Sequence, residues 1–104
     1  MKEVKSCIAP DTLKQQLEAG SDILIIDVRS KSEFEENHIP CSLHIPLENL
    51  ESEVKRLHEH YMLVTVCGKG GGRSAEAAEK LLQLNREVKW LCGGVSGFLE
   101  GAVI

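Results

Sequence analysis

Met62-Leu63-Val64-Thr65-Val66 runs directly into Cys67-Gly68-Lys69-Gly70-Gly71-Gly72-Arg73-Ser74. The first five residues are short, mostly apolar and rich in β-branching, which is the pattern of a strand buried on both faces of a parallel sheet. Beyond Ser74, the residues Ala75, Ala78, Leu81 and Leu82 fall on one stripe of a helix. Strand, Gly-rich turn and helix make a βα unit, and sheets built from such units place ligands outside the carboxyl ends of their strands.

The same alternation extends in both directions. Upstream, Val4 to Ile8 predicts a first short strand, and Pro10 opens a helix that carries Leu13 and Leu17 and ends near Gly20. Ile23-Leu24-Ile25-Ile26 is a second buried-strand run. Ser30-Lys31-Ser32-Glu33 has the spacing of a capping box, so a short helix starts there and stops before Pro40. Leu43-His44-Ile45 predicts a third strand, and Leu47, Leu50, Val54 and Leu57 predict a helix running to about His60. Downstream, Val88 to Leu91 is the last strand. The reading is one α/β domain over residues 1–104, with a mainly parallel sheet and helices on both faces.

Composition narrows the function classes. The chain has 104 residues, 12 Lys plus Arg against 16 Asp plus Glu, and a formal charge of −4. Without a Lys/Arg cluster there is no footprint for a nucleic-acid backbone. The apolar runs fall far short of the roughly 20 residues of a membrane helix, so no membrane partner is expected. Met1 to Lys5 lacks the apolar stretch of a signal peptide, which predicts a cytoplasmic protein with reduced thiols. Cys7, Cys41, Cys67 and Cys92 are widely spaced and contain no C-x-x-C pair. Cys7, Cys41 and Cys92 read as small buried residues, although Cys92, at the end of the last strand, is a candidate to resolve a modified Cys67. His58 and His60, two apart on the expected helix, face different ways. No metal and no cofactor is expected.

The Gly-rich segment carries the chemistry. Gly68, Gly70, Gly71 and Gly72 tolerate positive φ and leave backbone N–H groups uncovered, so the loop has the means to curl around the Cys67 sulfur and aim donors at it. The start of the following helix, with Lys69 and Arg73, favours a thiolate over a thiol. The result is a nucleophile for anionic substrates, and the same donors stabilise a negative group attached to the sulfur. A tight corner alone requires neither four Gly nor two cations. The segment cannot be read as a Walker loop, and no G-x-G-x-x-G stands in the first strand-to-helix turn.

Several stretches together resemble the rhodanese family of sulfurtransferases, from about Val4 to Gly101. They are Leu24-Ile25-Ile26-Asp27-Val28-Arg29, then Glu33-Phe34 with His38-Ile39-Pro40 and Ile45-Pro46, then the Cys67–Ser74 loop, and finally Leu91-Cys92-Gly93-Gly94. The resemblance implies a rhodanese-like α/β fold with a sheet of about five strands. It also implies that Cys67 takes a sulfane sulfur from a donor such as thiosulfate, holds it as a persulfide and passes it on. On that footing Cys67 is catalytic, and Gly68, Lys69, Gly70, Gly71, Gly72 and Arg73 bind the substrate. Asp27, Arg29 and His38 are read as scaffold. The implied partners are a small anionic sulfur donor and an acceptor that is a thiol, cyanide or a sulfur-acceptor protein, with oligomeric state left open.

Three departures from the family pattern stand out. Most single-domain members have a six-residue loop from Cys to Arg, whereas Cys67 to Arg73 spans seven, the C-x5-R length of related phosphatases and some arsenate reductases. Val66 stands where those enzymes usually have His, so sulfur transfer leads, with phosphatase or arsenate reductase, or a sulfur-relay interaction module, as the alternatives. Cys41 replaces a common Gly after His-Ile-Pro, and Phe98 stands near a frequent Trp as a packing substitution.

Overall fold

Five strands pair in the order β1-β5-β4-β2-β3, every pair parallel. The computed structural model describes residues 7–101. In chain order the elements are β1 (Cys7–Ile8), α1 (Pro10–Glu18), β2 (Ile23–Asp27), α2 (Lys31–Glu36), β3 (Leu43–His44), a 3₁₀ turn (Leu47–Asn49), α3 (Leu50–Val54), β4 (Met62–Val66), α4 (Arg73–Gln83), β5 (Val88–Leu91) and α5 (Gly94–Gly101). Val4 to Ser6 of the expected first strand lie outside the described residues.

The two apolar strand runs are neighbours at the middle of the sheet, with Ile23 opposite Met62 and Asp27 opposite Val66. Alternate residues of these strands feed two cores, as the period of two requires. On one face Ile26 and Leu63 pack with Leu50 and Val54 of α3 and Ala77, Ala78 and Leu81 of α4. On the other, Ile25, Val64 and Val66 pack with Leu13 of α1 and with Val95 and Phe98 of α5. Helices therefore cover both faces, and the buried Phe98 fills the packing role assigned to it. Among the described residues no helix is long and apolar enough to cross a membrane.

Local rules explain most of the boundaries. Ser30 caps α2 through its side chain, and Glu33 returns the bond to the Ser30 N–H, closing the capping box. Pro10 stands in the first turn of α1.

Three expectations need correction. The helix expected to reach about His60 ends at Val54. Its turns tighten there, with Arg56 and Leu57 N–H donating to Glu53 and Val54 carbonyls, and the Arg86 guanidinium takes the Val54, Leu57 and His58 carbonyls from across the fold. Long-range capping of those acceptors substitutes for further helix. As a result His58 and His60 leave the helix, and their Nδ1 atoms lie 2.6 Å apart instead of facing different ways. Finally, α5 follows β5 where only a Gly-Gly turn was anticipated. Val95, Phe98 and Leu99 have helical spacing, but the stretch is short and holds three Gly.

The cysteines also differ from expectation. Cys7 and Cys92 form a disulfide across a sequence separation of 85, with Cα atoms 5.1 Å apart. Sequence spacing does not reveal that contact, because the pairing of β1 with β5 creates it. Cys92 is thereby engaged elsewhere than with Cys67. Cys41 is exposed rather than buried, at φ 68 in the turn after Pro40.

Candidate active site

Cys67 follows the last residue of β4, the central strand, so its sulfur stands at the carboxyl edge of the sheet. The residue is 5% exposed. Gly70, Gly71 and Gly72 take φ of 87, 71 and 49, three successive left-handed residues that turn the chain into α4. Side chains rarely adopt such a run, which is the physical reason for the glycines. Gly72 then stands as the N-cap of α4, with no side chain to cap it.

The interior of this cup is occupied by a carbonyl. The Cys67 thiol donates to the Gly71 oxygen at 3.0 Å, Ser74 Oγ donates to the same oxygen at 3.0 Å, and the Ser74 N–H does so at 3.1 Å. Cys67 Sγ also lies 3.2 Å from Ser74 Oγ. Among the described residues no backbone N–H of the loop donates to the sulfur in this arrangement. The Gly71 peptide oxygen, not an amide, faces the sulfur here.

Ser74 is fully buried, and its own carbonyl accepts from Thr65 Oγ1 of β4 at 2.8 Å. That tie fixes the first turn of α4 against the strand carrying Cys67. The sequence reading missed Ser74 as a site residue. Its placement immediately after Arg73, at the second position of the helix, was the available signal.

The two cations behave differently. Lys69 is exposed at the loop tip. Arg73 reaches Glu33 of α2, with Nη1 to Oε1 at 2.9 Å and Nη2 to Oε2 at 3.1 Å, side chains 44% and 39% exposed. The Arg73 hydrogen bonds, followed by those from Ser30, hold the Glu33 carboxyl down at about 2. Arg73 is raised in turn, chiefly by its bond to Glu33 and with a smaller contribution from Cys67. Glu33 is forty residues away in sequence, so no local motif announces it as a partner. Beside the pair lies a pocket of about 360 Å³ walled by Val28, Arg29, Ser30, Lys31, Pro46, Leu47, Glu48 and Arg73. A second concavity of about 290 Å³, walled by Val54, Lys55, Leu57, Glu59, Leu84 and Arg86, lies apart from Cys67.

The scaffold residues lie beneath this rim. Asp27, fully buried at the end of β2, accepts from Arg29 Nε at 3.0 Å and Nη2 at 2.8 Å, and Arg29 Nη2 also donates to the Asn37 carbonyl at 2.6 Å. The pair ties the end of β2 to the end of α2. His38 Nδ1 bonds the Phe34 carbonyl at 2.8 Å and stacks on the Phe34 ring, a structural role as expected. Trp90 packs on the edge of one core. Among the described residues no group of three His, Cys, Asp or Glu is placed to hold a metal ion.

Behind the loop, the Gly93–Gly94 backbone approaches it so closely that side chains are excluded at Gly94 and Gly70. A Cβ on Gly94 would collide with the Cys67 carbonyl oxygen, and one on Gly70 would sit 2.7 Å from the Gly93 nitrogen. Val95 N–H donates to the Cys67 carbonyl at 2.8 Å and Ser96 N–H to the Gly68 carbonyl at 3.1 Å. The late Gly-Gly turn thus forms the back wall of the Cys67 loop.

Comparison with known proteins agrees with this architecture. The chain is 32% identical over 76 residues to YrkF of Bacillus subtilis, a protein whose name provisionally makes it a sulfur carrier; the match covers 73% of this chain and 40% of YrkF. It is 30% identical over 87 residues to the thiosulfate sulfurtransferase GlpE of Pseudomonas syringae, covering 84% of this chain and 80% of that one. In three dimensions it superposes on a rhodanese-related protein from Thermoplasma volcanium with a TM-score of 0.81, at 27% identity and 91% coverage of each chain. The rhodanese-like domain model matches residues 9–100, and the chain belongs to that family.

Proposed function

We propose that this protein is a sulfurtransferase that carries a sulfane sulfur on Cys67 as a persulfide, taking it from thiosulfate or a related anionic donor. The observation that carries this reading is the placement of Cys67 at the end of the central strand, heading a loop of three left-handed glycines that leads into α4. The similarity to a thiosulfate sulfurtransferase over 84% of the chain supports it.

The chemistry requires the cup to change its lining. Once the thiol proton passes to solvent, the Gly71 oxygen keeps its two Ser74 donors but loses the one from Cys67 and faces a negative sulfur. Gly71 and Gly72 have open space where a Cβ would stand, so the peptide between them can rotate and present its N–H inward once the two Ser74 hydrogen bonds to the Gly71 oxygen break. The helix start then faces the sulfur with its positive end. The Cys67 thiolate attacks the outer sulfur of thiosulfate, the bond to the sulfonate sulfur breaks, and sulfite leaves with the electron pair. The persulfide so formed is held by the loop amides, with Lys69 and Arg73 attracting the donor. A thiol, cyanide or sulfur-acceptor protein attacks the terminal sulfur and returns Cys67 as the thiolate, a two-step covalent scheme with ping-pong kinetics. No cofactor takes part.

Mass spectrometry after thiosulfate treatment tests this directly. One added sulfur on the Cys67 peptide, removable by reductant and absent in Cys67→Ala, is the expected result. An unmodified Cys67, together with turnover of an aryl phosphate, would instead assign the seven-residue loop to phosphoryl chemistry.

A further inference from the structure

We propose that the Cys7–Cys92 disulfide is a redox-controlled clamp on the active-site loop, opened by a dithiol reductant through thiol–disulfide exchange. Among the described residues, β1 is an edge strand of two residues whose only sheet neighbour is β5. The link to Cys92, reinforced by the Cys92 N–H donating to the Ile8 carbonyl at 2.9 Å, ties that edge to the end of β5. The next residues are Gly93 and Gly94, the wall against which the Cys67 loop is pressed. Two amides just beyond them, on Val95 and Ser96, hold the carbonyls of Cys67 and Gly68. The disulfide therefore ends one residue before the segment that positions the proposed nucleophile. Both half-cystines are partly exposed, and so within reach of a reductant.

The exchange is balanced within the pair and its reductant. A thiolate of the dithiol attacks one sulfur of the bridge, the other cysteine leaves as a thiolate, and a mixed disulfide forms. The second sulfur of the dithiol then displaces the protein cysteine. Two electrons and two protons reach the protein, and the dithiol becomes a disulfide; exchange with an oxidised dithiol reverses the process. Once reduced, β1 is held by hydrogen bonds and packing alone. The 92–97 segment gains freedom, and the carbonyl anchors of Cys67 and Gly68 open more often. The catalytic consequence rests on the sulfur-transfer reading, but the clamp itself does not.

The test compares the whole protein equilibrated with oxidised or reduced dithiothreitol. Carbamidomethylation of Cys67 by iodoacetamide is followed peptide by peptide, with hydrogen exchange at Val95 and Ser96 and near-ultraviolet dichroism to show that both forms are folded. The expected result is alkylation at least threefold faster and amide exchange at least tenfold faster in the reduced protein. Cys7→Ser should reproduce both without reductant; should that variant not fold, the comparison on the unsubstituted protein decides. Equal rates in the two folded forms, failure of the bridge to form in the oxidised buffer, or unfolding on reduction would each overturn the clamp. Sulfur uptake from thiosulfate is measured in parallel: no uptake in either form, with the alkylation difference intact, leaves the clamp standing and removes the sulfur-transfer reading.

Discussion

Arg73 grips both carboxylate oxygens of Glu33, at 2.9 and 3.1 Å, joining the first turn of α4 to α2 across the mouth of the site. The pairing gives the guanidinium a fixed position and offsets its charge. Two substitutions separate these effects. Arg73→Ala is expected to raise KM for thiosulfate tenfold or more while changing stability by no more than about 1 kcal/mol, since the pair is substantially exposed. Glu33→Gln is expected to lower that KM two- to fivefold, because the cation then faces the donor without a competing anion. Equal losses of activity and stability in Arg73→Ala would contradict its role in donor binding.

Acid titration provides a second check on the pair. The folded Glu33 carboxyl lies at about 2 against an ordinary 4.5, so the unfolded chain takes up its proton first. The stabilisation is complete above about pH 4.5 and is lost as pH falls from there towards about 2. Exposure and screening limit it to about 1 kcal/mol. Urea midpoints measured through this window should fall more steeply for the unsubstituted protein than for Glu33→Gln. Parallel slopes would mean that the contact contributes nothing.

The back wall of the loop predicts which glycine matters most. Gly94→Ala would drive a methyl group into the Cys67 carbonyl and within 2.6 Å of the Gly70 nitrogen. A loss of about 2–4 kcal/mol is expected, from overpacking added to the left-handed conformation at φ 61. Gly20→Ala, at φ 81 with open space around it, carries only the conformational cost of about 1 kcal/mol. Equal denaturation midpoints for the two variants would show that the wall tolerates displacement.

The buried Asp27–Arg29 pair, read as scaffold, is expected to act through stability. Asp27→Asn leaves a guanidinium that is 6% exposed without its counter-charge, and about 3–5 kcal/mol should be lost. Guanidinium chloride unfolding measures this, and a loss below about 1 kcal/mol would show that Asn37 and solvent suffice for Arg29.

What the sequence revealed, and what it hid, follows from the range of the interactions. Ile23 to Ile26 and Met62 to Val66 read as buried strands because burial on both faces leaves no polar alternation to confuse them. Ser30 and Glu33 read as a cap because the partners are three residues apart. The Cys67 loop was legible through its glycines, yet the inward turn of the Gly71 carbonyl was not, since glycine permits either orientation. Leu57 continued a helical stripe, but Arg86 captured the carbonyls that further helix would have used. Glu33 with Arg73, and Cys7 with Cys92, are contacts made by the folded topology alone. Thiol placement is the clearest case, because Cys41 and Cys92 both read as small buried residues, yet Cys41 is exposed and Cys92 is bridged to Cys7.

Because β4 has a hydrogen-bonded neighbour on each edge and a helical layer on each side, it should be among the last parts of the molecule to open. The Cys67 sulfur is therefore mounted on a stiff rail of the protein, while the glycines of its rim are pliable. On the proposed function, donors and acceptors of different shape are accommodated by adjustment of the glycine rim, and the height of the sulfur above the sheet stays constant between them.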